Sequence, residues 1–212
     1  NELKSKLHAG VVLTCLGGFK DTINFKKTRK DWIGESTSID KFIYHLLKYQ
    51  SEDFEARQFT PNSGSDERQF CSPGFNLPFI QAVRTRYGEY DEYHTSKDNK
   101  NFMKINQVEK SAQILSSFFK AFDYDGQILK SKFPYGEPQL GKRGLYPNIN
   151  SPLNRTHSND STIDSRTALN RILSILSLSD GQRGLIEIAE KIGCSAIELL
   201  PIITKLTEDD II

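Results

Sequence analysis

Two polar segments rich in ionisable side chains flank one apolar segment in the middle of the chain. They cover residues 64–74 and 84–99, and the second contains the histidine His94 among several carboxylates. The carboxylates nearest to it in sequence are Glu89, Glu92 and Asp98. A neutral imidazole can ligate Zn²⁺ through one ring nitrogen while a carboxylate orients the other. His94 is therefore a candidate metal ligand; the alternative is an exposed or hydrogen-bonded structural residue.

The same two segments carry side chains that could bind a substrate. A guanidinium group can hold a substrate carboxylate through paired hydrogen bonds, and tyrosine rings can line a pocket. The arginines are Arg68, Arg84 and Arg86, and the tyrosines are Tyr87, Tyr90 and Tyr93. The alternatives are solvated arginines at strand ends and tyrosines that only pack the loop.

Strand and helix patterns alternate through the first two thirds of the chain. Apolar residues 9–16 predict a central strand buried on both faces, and weaker patterns predict strands at 22–30, 54–60 and 77–83. Apolar residues at helical spacing predict amphipathic helices from Ser38 and from Asn106. This alternation is typical of a layered α/β domain. We expect Asp66 and His94 to meet at the carboxyl end of the 77–83 strand, as one wall of a cleft.

The last part of the chain has helical patterns interrupted by turns. Gly193 marks the end of one helix, and Ser195 with Glu198 forms a capping box that starts the next. This spacing resembles the helix-turn-helix core of winged-helix domains. We expect residues 1–150 to form the α/β domain, 151–164 a linker, and 165–212 a winged-helix-like domain with its wing truncated.

Composition limits the classes of function. The 212 residues carry 28 Lys+Arg and 27 Asp+Glu, a net charge of +1, which gives no strong field to attract nucleic acid or anionic lipid. Segment 165–212 holds 5 basic and 7 acidic residues, a net of 5 − 7 = −2, which argues against DNA binding. Three scattered cysteines and no apolar run of membrane-spanning length predict a cytoplasmic protein without a membrane partner.

The long motifs resemble a known family. Ser65-Asp-Glu-Arg-Gln-Phe70 followed by Glu92-Tyr-His-Thr-Ser-Lys-Asp98 is similar to the closing half of zinc-dependent aminopeptidase domains. With residues 134–146, these motifs resemble a bacterial aminopeptidase-like family in which such a domain precedes a C-terminal winged helix. The resemblance covers most of residues 7–212. It implies that the first half of the peptidase domain lies upstream of Asn1.

The resemblance also implies roles for individual residues. His94 matches the metal-binding histidine, and Asp98 would fix its loop. Asp66 would support the metal ligands without contacting the metal itself. The main catalytic base is expected upstream, which leaves Glu89 and Glu92 as secondary candidates for acid-base work. Two departures count against a second metal ion. Glu67 stands where these peptidases have histidine, and residues 14–18 offer no carboxylate.

The leading hypothesis is a zinc-dependent hydrolase of aminopeptidase type, in which metal-activated water attacks a peptide or small amide. One alternative is a catalytically degenerate module that keeps the fold for binding or structure. The other is a DNA-binding regulator, which the acidic C-terminal segment disfavours. The expected partners are the substrate and the upstream half of the same protein, and homo-oligomer formation stays open.

Overall fold

A computed structural model describes residues 6–146 and 165–212. The chain divides into two compact units, Asn1–Phe122 and Asp123–Ile212. The expected linker at 151–164 lies outside the described residues. Among the helices of the described residues, none combines the length and apolar character that a membrane span needs.

The first unit is built on a four-stranded mixed sheet with strand order β1-β4-β2-β3. Its elements, in chain order, are β1 (Gly10–Thr14), β2 (Ile23–Lys26), α1 (Arg29–Trp32), α2 (Ser38–Tyr49), β3 (Phe54–Arg57), α3 (Glu67–Phe70), β4 (Phe79–Val83) and α4 (Ile105–Asp125). β1 runs parallel to β4, and β2 runs parallel to β3 but antiparallel to β4. The carboxyl ends of β1 and β4 therefore meet at one end of the sheet, and those of β2 and β3 meet at the opposite end.

One face of the sheet is apolar and carries the core of this unit. Phe25 on β2 stacks on Phe118 of α4 with ring centroids 4.8 Å apart, and Phe118 contacts Phe42 of α2 at 5.2 Å. All three rings are fully buried. The amphipathic patterns of α2 and α4 explain this packing, since each helix turns its apolar stripe towards the sheet.

The other face of the sheet carries a cluster of buried and half-buried polar side chains. Lys26, Arg57 and Gln81 are direct neighbours on adjacent strands, so their side chains lie on one face. Arg57 donates hydrogen bonds to Asn24 and Gln81. The pKa of Arg57 is lowered, first by burial and then by the charge of Arg86.

Over residues 123–146 and 165–212, the second unit contains a two-stranded sheet, three α-helices and a 3-10 helix. Its elements are β5 (Leu129–Lys130), a 3-10 helix (Leu140–Arg143), α5 (Ser165–Leu178), β6 (Asp180–Arg183), α6 (Leu185–Ile192) and α7 (Ala196–Glu208). β5 pairs antiparallel with β6. Gly193 ends α6 with a φ of 82°, and the Ser195–Glu198 capping box starts α7, as the sequence predicts.

Two sequence-based expectations differ from the structure. The first unit ends near Phe122 rather than at residue 150, because β5 belongs to the second unit through its pairing with β6. β1 was expected to be central. Among the described residues it pairs with β4 alone and forms an edge of the sheet, and Leu13 is 49% exposed.

Candidate active site

The site begins where β1 and β4 end side by side. Cys15 follows β1 and adopts a left-handed conformation with a φ of 47°. Its carbonyl oxygen accepts hydrogen bonds from the backbone N–H groups of Arg84 and Thr85, each 3.3 Å long. These bonds join the loop after β4 to the end of β1, so both loops leave the sheet at the same edge, where α/β folds commonly bind ligands.

Arg84 points into the protein rather than towards a substrate. It is 1% exposed, and its Nε donates to the Ser111 hydroxyl of α4 at 2.8 Å. One terminal nitrogen donates to the carbonyls of Lys20 and Asp21, both at 2.7 Å. Burial lowers the pKa of Arg84. The expectation that Arg84 grips a substrate carboxylate is therefore wrong, since this guanidinium ties a loop and a helix to the sheet.

Glu89 is held between two cations. Arg86 donates from Nε to its carboxylate at 2.7 Å, and the Lys20 ammonium lies 2.9 Å from the other oxygen. Partial burial alone would raise the pKa of Glu89, but the hydrogen bonds from Arg86 and Lys20 lower it to about 2. Such a carboxylate is a weak base at neutral pH. The contacts give Glu89 and Arg86 a loop-stabilising role.

His94 lies at the tip of the same loop, on a base of tyrosine rings. Its imidazole stacks on Tyr93 with ring centroids 4.0 Å apart, and Tyr93 in turn stacks on Tyr87 at 5.2 Å. His94 is exposed and has a φ of 59°. The Thr95 hydroxyl closes the turn by donating to the Glu92 carbonyl at 2.7 Å. The loop thus presents an imidazole to solvent at the edge where β1 and β4 end.

The described residues do not by themselves form a metal centre. In the two stretches of chain that the structure describes, no three His, Cys, Asp or Glu side chains are close enough to hold an ion together. A catalytic zinc ion takes three protein ligands. The exposed His94 imidazole offers one of these, and the described residues alone do not complete a zinc site.

Residues 66–68 lie at the opposite end of β4. Glu67 is fully buried and pairs with Lys26, at the end of β2, over 3.0 Å. Because β2 is antiparallel to β4, the end of β2 lies near the start of β4. Asp66 is exposed at the start of α3, and Arg68 donates to the Pro61 carbonyl. The expected meeting of Asp66 and His94 at the carboxyl end of this strand is therefore wrong.

Cys15 and Phe102 adjoin the His94 loop from elsewhere in the chain, and the sequence did not identify them as site residues. The Tyr90 hydroxyl lies 3.5 Å from the Cys15 sulfur, and the Tyr90 ring stacks on Phe102 at 4.6 Å. Asp98, predicted to fix the loop, lines a cavity with these three residues. No short motif links Cys15 to Phe102, so only the pairing of β1 with β4 brings them together.

The fold is that of a mixed α/β domain followed by a winged helix. The chain belongs to the family described as "Domain of unknown function (DUF4910)", whose pattern matches residues 1–125. Residues 127–212 match the winged helix-turn-helix family. Together with the two similar proteins described next, these matches confirm the predicted fold class and the family resemblance.

Two similar proteins come from Clostridium acetobutylicum. A "Putative polysaccharide biosynthesis protein with aminopeptidase-like domain" is 35% identical over 196 residues, which are 91% of this chain and 41% of the relative. The crystal structure of a "putative peptidase" superposes with a TM-score of 0.67 at 27% identity, over 99% of this chain and 42% of that one. The chain thus spans about two fifths of the length of these relatives.

Proposed function

We propose that this chain contributes His94 and its loop to the active site of a zinc-dependent hydrolase of aminopeptidase type. The observation that carries the proposal is the exposed imidazole of His94, stacked on Tyr93 at the edge where two parallel strands end. An aminopeptidase-like relative and a peptidase structure with the same fold support it. Bound zinc would activate water and polarise an amide carbonyl.

The remaining metal ligands and the catalytic base would come from outside the described residues. The chain spans 41% of the curated relative, which leaves ample length for them. The open edge of β1, with Leu13 half exposed, offers a place for a further strand of the same protein. In this arrangement Tyr93 orients the His94 ring, and Glu89 keeps the loop in place through Arg86 and Lys20.

Hydrolysis of short peptides and aminoacyl amides by the full-length protein tests the proposal. We expect release of free amino acid, loss of that release on chelation, and recovery with added zinc. His94→Gln should abolish it without unfolding the protein. Zinc binding through His94 without any turnover would instead identify the degenerate module, an alternative favoured by the buried pairing of Glu67 with Lys26.

We further propose that the winged helix packs against protein rather than DNA. The recognition helix α7 carries Glu198 and Glu208 with a single basic residue, Lys205, which pairs with Asp209 at 2.8 Å. Arg171 is engaged by Glu198 at 2.7 Å. Phosphate binding needs free cations. Duplex DNA at low salt should not bind, and salt-sensitive micromolar binding would restore the regulator hypothesis.

A further inference from the structure

A cavity of about 240 Å³ opens at the edge where β1 and β4 end. Its lining comes from the Cys15–Gly18 turn after β1 and from Thr85, Tyr90, Asp98, Phe102 and Met103, which follow β4. A space of this size accommodates one small group rather than a whole peptide. It adjoins the His94 loop through the ring contact between Tyr90 and Tyr93, at 5.9 Å.

The walls of this cavity are mostly apolar. Tyr90 and Phe102 stack on one another at 4.6 Å, and Met103 adds a flexible thioether beside them. The Tyr90 hydroxyl is engaged with the Cys15 sulfur at 3.5 Å. Burial, followed by contact with Cys15 and the charge of Asp98, raises the pKa of Tyr90, so its hydroxyl stays neutral. Such walls favour a methylene or apolar stem.

Asp98 supplies the one charge in the lining. No Lys or Arg lines the cavity, and within residues 6–146 and 165–212 the Asp98 carboxylate forms no ion pair. The nearby Glu89 differs, because Lys20 and Arg86 neutralise it. An exposed, unpaired carboxylate beside an apolar wall is complementary to a cation on an apolar stem.

We propose that this cavity is a binding subsite for an organic ammonium group, with Asp98 holding the charge and Tyr90, Phe102 and Met103 packing the stem. The inference rests on the proposed function in taking the ligand to be a peptide or amino-acid amide. Two groups of such ligands share this chemistry, the α-amino group of the first residue and the ammonium of a lysine-like side chain.

Four probes distinguish these sources by ligand-observed NMR titration of the metal-free full-length protein. Lysinamide carries both ammonium groups, norleucinamide the α-amino group alone, N-acetyl-lysinamide the side-chain group alone, and N-acetyl-norleucinamide neither. We expect the ammonium-bearing probes to bind in a salt-sensitive manner and the neutral probe to bind at least about fivefold more weakly. The stronger of the two singly charged probes identifies the source.

Asp98→Asn should reduce the affinity of the charged probes about fivefold and leave the neutral probe unchanged. Asp91→Asn is the matched control, because Asp91 is exposed in the same loop but does not line the cavity. Equal binding of charged and neutral probes, equal effects of the two variants, or no binding of any probe would overturn the inference. The probe and salt comparisons use the unaltered protein, so they hold even where Asp98→Asn fails to fold.

Because zinc is absent from this titration, its outcome is separable from that of the proposed function. If the protein binds zinc through His94 but binds the charged and neutral probes equally well, only the proposed subsite is refuted. A protein that binds ammonium through Asp98 but takes up no zinc would refute the metal proposal alone.

Discussion

Glu67 and Lys26 form an ion pair that is fully buried in the first unit. Glu67 stands at a position where the peptidases that its motif resembles have histidine. Ser65 N–H donates to its second oxygen at 2.8 Å, and Lys26 also donates to the Thr60 carbonyl at 2.7 Å. Burial lowers the pKa of Lys26, although Glu67 opposes that shift. The pair joins the loop before α3 to the sheet.

Breaking this pair should destabilise the first unit. Lys26→Met leaves the Glu67 charge buried without a partner, and we expect the free energy of unfolding to fall by about 3–5 kcal/mol. Lys26→Met with Glu67→Leu should regain most of that loss. Urea denaturation measures both, with Lys41→Met on the exposed face of α2 as control. A loss no larger than in Lys41→Met would contradict the structural role of the pair.

Glu89 should make the stability of the first unit depend on acid pH. Its pKa is about 2 when folded, against an ordinary value of 4.5. Folding therefore favours the ionised form, and this stabilisation is complete above about pH 4.5 and lost as the pH falls towards 2. Since Arg86 and Lys20 are partly exposed, we expect a contribution of roughly 1–2 kcal/mol.

Comparing wild type with Glu89→Gln in urea from pH 7 to pH 2 tests this. The variant should be less stable at pH 7, and the difference should shrink to near zero at the acid end. Glu92→Gln is the control, and its stability difference from wild type should not change in this way. A constant difference between wild type and Glu89→Gln across the range would show that the ion pairs contribute nothing.

At the residue scale, the spacing of polar residues identifies the His94 loop, but it does not show which of the nearby arginines is buried and which is exposed. Arg84 and Arg86 are two positions apart, yet one is buried and the other is partly exposed beside Glu89. The difference depends on Ser111, which lies 27 positions from Arg84. Contacts at that separation leave no local pattern, so both arginines received the same interpretation.

At the level of elements, apolar periodicity predicted the long helices and the strands of the first unit. It missed α1 and α3, which have four residues each, and β5, which has two. Elements this short show no period. The antiparallel pairing of β2 with β4 also leaves no local signal, and it is what separates Asp66 from the carboxyl end of β4.

Helix α7 packs its apolar side chains into the core of its own unit. Leu199, Leu200, Ile203 and Leu206 are all buried within the chain. An interface of the winged helix therefore has to use other residues.

The exposed edge of β1 gives a prediction at the element scale. Leu13 is 49% exposed on a strand that pairs on one side only among the described residues. Leu13→Lys should reduce self-association of the isolated 212-residue chain, because a charge blocks edge-to-edge pairing. The same change should lower the melting temperature of the full-length protein, where we expect this edge to be covered.

Light scattering of the isolated chain and thermal melting of the full-length protein measure the two effects. Lys6→Glu, an exposed position before β1, is the control for a change of charge alone. An unchanged melting temperature of the full-length Leu13→Lys protein would mean that no further strand covers β1.

For the whole molecule, the sequence predicted an α/β domain followed by a winged helix, and the family matches confirm that order. The sequence places the boundary between the two units after residue 150, because residues 126–146 show no hydrophobic periodicity. The pairing of β5 with β6 assigns these residues to the second unit. The chain is about two fifths of its relatives in length.

The zinc content of the full-length protein tests the central claim most directly. Elemental analysis after dialysis should find zinc in the wild type and in His8→Ala, which removes an exposed histidine before β1. His94→Ala should lose that zinc while its circular dichroism spectrum stays the same, because its imidazole is exposed and carries little of the fold. Equal zinc in His94→Ala and wild type, or no zinc in either, would contradict the assignment of His94 as a metal ligand.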